Sequence, residues 1–270
     1  MVNTSDIKLI VCDVDNTIIP AGQPAISRRL KRAFDSAMAK GIHILVDTGR
    51  HYTFLQESLF EDLPLEFIGT INGACLVDRQ GNVIEKHTMS LESMNRITEI
   101  CEQNDIGLGF KFEDAVVTYA NHMKFVDGYC KDDVRLRNAV INDDENRSHH
   151  LKYGLPIGVF IIGKSETIEL YRDAVPEMAW AWSYKDGYDI YIKDTNKATA
   201  VEPVLKHYGI TWDNVIAFGD AGNDTPFIRK AAVGVALGNA KDDVKQYADI
   251  VADDCAEDGA AKVLEDLGIA

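Results

Sequence analysis

The feature that most constrains the fold is an apolar run near the start of the chain that stops abruptly at two carboxylates. Ile10, Val11 and Cys12 are followed by Asp13 and Asp15, one residue apart. A continuous apolar run is typical of a buried strand in a parallel sheet, and ligands of open α/β sheets bind beyond the carboxyl ends of such strands. Because residues i and i+2 of a strand point to one face, Asp13 and Asp15 can converge on one cation or one reacting group.

The same residues also fit a plain turn, in which Asp15, Asn16 and Thr17 hydrogen-bond to nearby backbone after a strand. Two neighbouring anions repel unless a positive group joins them, and Mg²⁺ takes oxygen ligands of this kind. The other strand ends of the chain therefore have to decide between a turn and a catalytic site.

Length and charge limit the classes of protein. A chain of 270 residues can hold one large core, or a core domain with an inserted second domain. The formal net charge of −15, from 43 acidic and 28 basic residues, disfavours nucleic acid and anionic membranes as partners. Such an acidic chain needs local positive groups or a metal if it is to bind a phosphorylated substrate.

The cysteines and the first residues indicate the compartment. Five scattered cysteines without a C-x-x-C pair argue against a disulfide framework or a zinc site. Residues 1–6 show no basic stretch followed by an apolar one, and an 18-residue apolar span is absent from the sequence. We therefore expect a reduced, cytoplasmic location, and we see no sign of an obligate protein partner.

A second apolar strand, over residues 42–46, ends close to Thr48, Gly49 and Arg50. The Thr48 hydroxyl could bind a phosphate oxygen, Gly49 lets the backbone approach closely, and Arg50 could add charge or hold the turn. Alternatively, Thr48 could cap a helix, which we predict over residues 52–59.

Further polar groups lie where later elements begin or end. Lys197 lies at the first turn of a predicted helix, where the helix dipole disfavours a cation, and this position suggests an anion nearby. The alternative is a solvated surface lysine. An apolar strand over residues 215–218 is followed by Gly219 and Asp220, and then by Asp224, which can also cap the helix that starts at Thr225.

Between these two halves the pattern changes from alternating strands and helices to α+β with adjacent hairpins, which indicates an inserted domain. We predict an α/β fold with a Rossmann-like, doubly wound, mostly parallel sheet as its core, over residues 1–85 and 189–270, and an inserted α+β domain over residues 86–188. Within the insert we predict helices over 91–103 and 166–175, strands over 107–112, 116–120, 156–162, 178–184 and 188–192, and a polar stretch over 121–154 that includes a loop over 142–150.

The chain resembles the haloacid dehalogenase superfamily of phosphatases, whose motifs are matched in order by residues 13–17, 48–50, 197 and 219–224. The position, size and pattern of the insert look like the C2B cap of the Cof-type branch, also called subfamily IIB. Residues 72–74 and 234–240 also look like that branch, and Asn239 is the residue of the last part that we consider for chemistry. Asn16 departs from the usual glycine, but asparagine tolerates left-handed backbone.

The resemblance implies a Mg²⁺-dependent phosphatase of small phosphorylated metabolites, such as sugar phosphates, that works through an aspartyl-phosphate. Asp13 would be the nucleophile, Asp15 the general acid and base, and Thr48 and Lys197 would join them in catalysis. The cap would close over the site and contact the leaving group. The implied metal ligands are Asp13, Asp15 through its carbonyl, Asp220 and Asp224. The implied substrate-binding residues are Thr48, Gly49, Arg50, Asn72, Lys197 and Asn223.

Three other functions remain open at this point. In a sugar phosphomutase or phosphotransferase a sugar hydroxyl would replace water as the acceptor. A catalytically idle metabolite-binding protein is disfavoured, because it would gain nothing from a nucleophile and its acid/base partner. A nucleotide-binding oxidoreductase would need a G-x-G-x-x-G turn after the first strand, where this chain has residues 13–17.

Overall fold

The computed structural model describes residues 4–270, which form two compact units. The first unit contains residues up to 50, 55–85 and 196–270, and the second contains residues 51–54 and 86–195. The second boundary predicted from the sequence, between residues 188 and 189, falls inside the strand Gly187–Ile192. Residues 1–3 of the predicted core domain, and of the stretch that we inspected for a leader, lie outside the described residues.

The first part of the chain alternates strands and helices, as the apolar pattern predicts. Its elements are β1 (Leu9–Cys12), α1 (Arg28–Ala39), β2 (His43–Asp47), α2 (Glu57–Asp62), β3 (Phe67–Thr70), β4 (Cys75–Asp78) and β5 (Val83–Lys86). The Ser27 side chain accepts a hydrogen bond from the Leu30 backbone N–H and caps α1, which buries Leu30 and Phe34.

The single helix predicted over residues 52–59 is wrong. Tyr52–Phe54 is a 3-10 turn, and α2 begins only at Glu57. The physical reason is the burial of Phe54, which belongs to the second unit and packs against the ring of Tyr129 with centroids 5.5 Å apart. Phe54 packs in the second unit, whereas α2 belongs to the first, so the two segments do not form one continuous helix.

The insert follows. Its elements are α3 (Leu91–Gln103), β6 (Gly107–Lys111), β7 (Val116–Ala120), α4 (His122–Tyr129), α5 (Val134–Ala139), β8 (Val140–Asn142), α6 (His149–Tyr153), β9 (Gly158–Ile162), α7 (Ser165–Glu169), β10 (Met178–Tyr184) and β11 (Gly187–Ile192). Its sheet has the strand order β10-β11-β9-β6-β7-β8, in which neighbouring strands are antiparallel except for β7 with β8.

The polar stretch 121–154 contains α4, α5, β8 and α6, and the loop predicted over 142–150 lies between β8, which ends at Asn142, and α6, which begins at His149. The packing of α4 depends on Gly107 and Gly109. A Cβ on Gly107 would lie 2.7 Å from the Phe125 backbone nitrogen, and a Cβ on Gly109 would lie 2.2 Å from the Phe125 ring. The two glycines thus let α4 lie directly on β6, an arrangement set by residues distant in sequence from the helix. The helix predicted over residues 166–175 is also shorter in the structure, where α7 covers only Ser165–Glu169.

The chain then returns to the first unit with α8 (Lys197–Tyr208), β12 (Val215–Gly219), α9 (Thr225–Lys230), β13 (Val233–Ala236), α10 (Asp242–Lys245), β14 (Ile250–Val251) and α11 (Gly259–Asp266). Within residues 4–270 the sheet of this unit has the order β14-β13-β12-β1-β2-β3-β4-β5, and it is parallel from β14 to β3. The predicted α/β fold with a Rossmann-like core and an inserted α+β domain is confirmed.

The core of the first unit explains where α8 lies. Leu9, Val11 and Leu45 of the central strands pack with Val201 and Val204 of α8 in one buried cluster. Because side chains alternate along a strand, Asp13 and Asp47 continue the face that α8 covers. All five cysteines lie among the described residues and are buried thiols outside any disulfide, as the sequence predicts. Over residues 4–270 none of the helices has the length and apolar character needed to cross a membrane.

Candidate active site

The carboxyl ends of three neighbouring parallel strands bring the predicted motifs to one edge of the first unit's sheet. In register, Cys12 of β1 lies beside Val46 of β2 on one side and Phe218 of β12 on the other. The chain therefore leaves the sheet at Asp13, and close to Thr48 and Asp220, within one layer. This is the position that the sequence predicts for chemistry in an open α/β sheet.

Lys197 is fixed at the start of α8 by a capping box. The Asn196 side chain accepts from the Ala198 backbone N–H at 3.0 Å, and the Thr199 hydroxyl oxygen accepts from the Asn196 backbone N–H at 3.0 Å. The approach of this turn to the loop after β3 requires Gly73, because a Cβ there would lie 2.1 Å from the Asn196 carbonyl oxygen. Gly73 also has a φ of +82°.

The Lys197 ammonium is buried and joins the two acidic motifs. Its Nζ donates hydrogen bonds to Asp13 Oδ1 and, at 2.6 Å, to Asp224 Oδ1. Burial alone would lower the pKa of Lys197, but the charges of Asp13, Asp224 and Asp47 outweigh this effect and raise it. The lysine therefore carries its charge, and the anion that its unfavourable place on the helix suggests is present.

Asp224 holds a turn instead of capping a helix with its side chain. Its Oδ2 accepts hydrogen bonds from the backbone N–H groups of Asp220 and Ala221, both at 2.9 Å. At its position before α9 it makes no side-chain capping bond, so the predicted cap is wrong. The reason is that Lys197 and the 220–221 turn already occupy its oxygens.

Carboxylate oxygens of Asp13, Asp220 and Asp224 all lie within 4.8 Å of one another. Burial raises the pKa of Asp13, Lys197 opposes this, and Asp224 raises it further. Burial, followed by the charge of Asp224, raises the pKa of Asp220 to about 6. One ammonium does not balance these carboxylates, so an all-oxygen cluster with excess negative charge fits a hard divalent cation.

The Asp15 side chain lies outside that carboxylate cluster, on the Arg50 guanidinium. Arg50 Nε donates to Asp15 Oδ2 and its second terminal nitrogen donates to Oδ1, both at 2.7 Å. This paired geometry orients Asp15 closely, while its side chain keeps 45% of its accessible surface. Arg50, for which the sequence suggested a phosphate contact or a turn, thus contacts the candidate acid/base.

The candidate phosphate-binding residues surround a second turn. Buried Thr48 accepts from the Arg50 backbone N–H at 3.2 Å through its hydroxyl oxygen. The Asn223 amide nitrogen donates to Asn72 Oδ1 at 2.9 Å, which joins the loops after β3 and β12. A Cβ on Gly49 would lie 2.9 Å from that same Asn72 oxygen, so glycine gives this amide its space.

Sequence reasoning missed Asp47, Thr17 and the contacts of Asn239. Asp47 is fully buried, and within the described part of the chain neither of its carboxylate oxygens has a hydrogen-bond partner. Its neighbour across the sheet is Gly69, where a Cβ would lie 2.6 Å from the Asp47 carboxyl carbon. An aspartate at the end of an apolar strand, before a threonine already singled out, was the signal that could have found it.

Comparisons with known proteins identify the family. A model of the haloacid dehalogenase-like hydrolases matches residues 10–264. The 5-amino-6-(5-phospho-D-ribitylamino)uracil phosphatase YcsE of Bacillus subtilis (strain 168) is 28% identical over 268 residues, which cover 96% of this chain and 95% of that protein. The pyridoxal phosphate phosphatase YbhA of Escherichia coli (strain K12) is 24% identical over 282 residues, covering 95% and 97% of the two chains.

The solved structures agree. The structure of the HAD subclass IIB sugar phosphatase BT4131 superimposes with a TM-score of 0.84 at 26% identity, and the match covers 97% of this chain and 100% of that one. The resemblance to subfamily IIB noted in the sequence is thereby confirmed. With a family match over nearly its whole length, the chain belongs to the haloacid dehalogenase-like hydrolases and is a phosphatase of phosphoric monoesters.

Proposed function

We propose that this protein is a Mg²⁺-dependent phosphatase that hydrolyses small phosphorylated metabolites through an aspartyl-phosphate on Asp13. The observation that carries the proposal is the buried Lys197 ammonium, which contacts both Asp13 and Asp224 while Asp220 lies within ligand distance. A lysine without a function is rarely placed among buried carboxylates at a helix start.

In the first step, an Asp13 carboxylate oxygen attacks phosphorus and the bond from phosphorus to the ester oxygen breaks. Asp15 gives its proton to the leaving alkoxide. In the second step, water attacks the phosphorus of the aspartyl-phosphate and Asp15 takes a proton from it. Inorganic phosphate leaves, and Asp13 is again a carboxylate. The paired contact with Arg50 holds the Asp15 carboxylate in one orientation in the substrate-free protein.

The ligands proposed for Mg²⁺ are Asp13, Asp15 through its backbone carbonyl, Asp220 and Asp224. When bound, the ion supplies positive charge that offsets the carboxylates and the incoming phosphate. Lys197 supplies a fixed ammonium for the phosphoryl oxygens, on which charge is spread in the transition state. Thr48, Gly49, Asn72 and Asn223 are proposed to bind those oxygens through hydroxyl, backbone and amide groups, and Arg50 to add charge beside them.

For the substrate class we propose phosphomonoesters of sugars and related polyols. YcsE is named for a phosphorylated ribityl compound and BT4131 for sugar phosphates, and both leaving groups carry hydroxyl-rich carbon chains. YbhA is named for pyridoxal phosphate, so the shared core accommodates other leaving groups as well.

The test is a panel of phosphorylated metabolites assayed for phosphate release with and without Mg²⁺, on the unsubstituted protein and on Asp13→Asn. We expect Mg²⁺-dependent release that falls by about 10⁴-fold in Asp13→Asn, because the amide cannot attack phosphorus. Asp35→Asn, an exposed change on α1, is the matched control and should retain full activity. Near-normal metal-dependent activity in Asp13→Asn would falsify the proposal.

A further inference from the structure

We infer that Asn239 is a positioning residue for the metal site: its side-chain amide holds Asp220 and the turn after β1 in the arrangement that a divalent cation needs. This inference rests on the proposed magnesium dependence. Asn239 belongs to the 234–240 segment, to which the proposed reaction assigns no role.

The contacts of this one amide join three loops. Its Nδ2 donates to the Asn16 carbonyl oxygen at 2.9 Å and to Asp220 Oδ2 at 3.2 Å. Its Oδ1 accepts from the Cys255 backbone N–H at 2.9 Å. The bond to Cys255 fixes the orientation of the amide group, because it leaves the NH₂ end directed to Asn16 and Asp220.

Asn16 is a position that benefits from such a tie. Its φ is +62°, in the left-handed region, and the turn that it forms starts directly after Asp15. A hydrogen bond to the Asn16 carbonyl stabilises this uncommon backbone conformation and thereby the backbone on either side of it. Asn239 therefore acts on two segments that carry proposed ligands.

Both carboxylate oxygens of Asp220 accept hydrogen bonds. Thr17 donates its hydroxyl to Oδ1 at 3.2 Å, and Asn239 donates to Oδ2. A carboxylate has about four acceptor positions, so these two bonds leave capacity for a cation while limiting rotation of the group. Hydrogen bonds to a ligating carboxylate commonly set metal affinity in this way.

The side of Asp220 that Asn239 contacts is open to water. A cavity of ≈ 350 Å³ is lined by Asn16, Asp220 and Asn239 among other residues, so water reaches this side of the carboxylate. Without the amide, Asp220 and the turn at Asn16 would gain freedom that metal binding must then remove. The cost is expected in metal affinity, and the ligands themselves are unchanged.

The experiment compares Asn239→Ala with Asn214→Ala. Asn214 is a matched control at the opposite end of the same strands, where its side chain donates to the Asp6 carbonyl at 2.8 Å and accepts from the Thr211 backbone N–H at 3.1 Å. Both changes remove a side-chain amide that ties loops together, but Asn214 does not contact Asp220. Mg²⁺ affinity is measured by calorimetry on the substrate-free proteins, and kcat is measured at saturating Mg²⁺.

We expect the Mg²⁺ dissociation constant to rise about tenfold in Asn239→Ala and to stay within about twofold in Asn214→Ala. At saturating Mg²⁺, kcat of Asn239→Ala should return to within about twofold of the unsubstituted protein, because every proposed ligand is still present. If Asn239→Ala does not fold, Asn239→Ser and Thr17→Val test the same bonds to Asp220 and should also weaken Mg²⁺ binding.

An unchanged Mg²⁺ dissociation constant in Asn239→Ala, or an equal rise in Asn214→Ala, overturns the inference and leaves the proposed function intact. A loss of kcat that saturating Mg²⁺ does not restore also overturns it, since the residue would then act on the reaction itself. Absence of Mg²⁺ binding by the unsubstituted protein overturns the proposed magnesium dependence, and the inference falls with it.

Discussion

Each unit of the molecule contains a buried lysine, and the two differ in the charge that surrounds them. Lys111 of the insert donates to Asp189 at 2.8 Å, and its ammonium lies 5.8 Å from the centre of the Phe160 ring. Lys197 of the other unit has the same distance to the Phe227 ring, but it faces Asp13, Asp224 and Asp47.

The difference teaches how a structural ion pair can be told from a catalytic one. Burial alone would lower the pKa of Lys111, whereas Asp189 raises it and the net direction is upward, so this lysine is also charged. Lys111 is balanced by a carboxylate that is itself partly exposed. Around Lys197 the carboxyl groups outnumber the ammonium, and such excess charge is costly to fold unless a ligand neutralises it.

The largest effect should come from removing the lysine at the excess charge. We predict that Lys197→Met lowers kcat at saturating Mg²⁺ by about 10³-fold or more, because the fixed positive charge at the phosphoryl oxygens is lost. Steady-state kinetics with a phosphomonoester measure this. Lys111→Met, assayed per folded molecule, should stay within about twofold, and an equal loss in both variants would erase the distinction.

The second prediction concerns the free energy of unfolding, to which the Lys111 ion pair is expected to contribute although it does not affect kcat. Lys111→Met should destabilise the protein by about 3–5 kcal/mol, since it leaves Asp189 without its buried partner. The double variant Lys111→Met/Asp189→Leu should recover to within about 1 kcal/mol, because an apolar pair can replace an ion pair. Urea unfolding of both variants measures the difference, and a double variant as unstable as the single one contradicts a purely structural pair.

His51 is a buried ionisable residue of the second unit and extends the comparison. Its ring nitrogens lie 2.8 Å from Thr53 Oγ1 and from the Phe112 carbonyl oxygen, and burial lowers the pKa of His51 to about 4. Because the unfolded chain binds the proton more tightly between pH 4 and 6.5, stability rises with pH across this window, by about 3 kcal/mol.

Unfolding titrations between pH 4 and 7 measure this contribution, and His51→Gln should flatten that part of the profile. The same substitution should leave the pH dependence of kcat unchanged, because His51 belongs to the second unit's own packing. A shifted kcat profile in His51→Gln would show that the buried ionisable groups of the second unit are not purely structural.

The smallest effect is expected at Asp47. Burial, which exceeds the opposing charge of Lys197, raises its pKa well above the ordinary value. A raised carboxyl pKa contributes stability at low pH that is lost as pH rises through the folded-state pKa. Asp47→Asn should therefore stabilise the metal-free protein by about 1 kcal/mol at pH 8 and by less at pH 5. Thermal unfolding at both values measures this gain, and a gain independent of pH contradicts it.

The sequence was sufficient to predict that Asp13 and Asp220 lie together, because parallel strands with polar residues at their carboxyl ends place those residues at one edge. It singled out Lys197 for another reason, since an ammonium at a helix start suggests an anion nearby. It was not sufficient for the bond between Arg50 and Asp15, since the partner of a long side chain depends on rotamers that no local pattern encodes. Helix α4 was missed for a related reason. Its place depends on Gly107 and Gly109, which precede it on another element.

Gly73 has a consequence for how substitutions would be tolerated along the chain. The site assigns it no bond to phosphate and no proton to carry, yet even a methyl group at this position would collide with the backbone that seats Lys197. A saturation library selected for phosphatase activity should therefore show a position as intolerant as the nucleophile itself, at a residue that has no side chain with which to react.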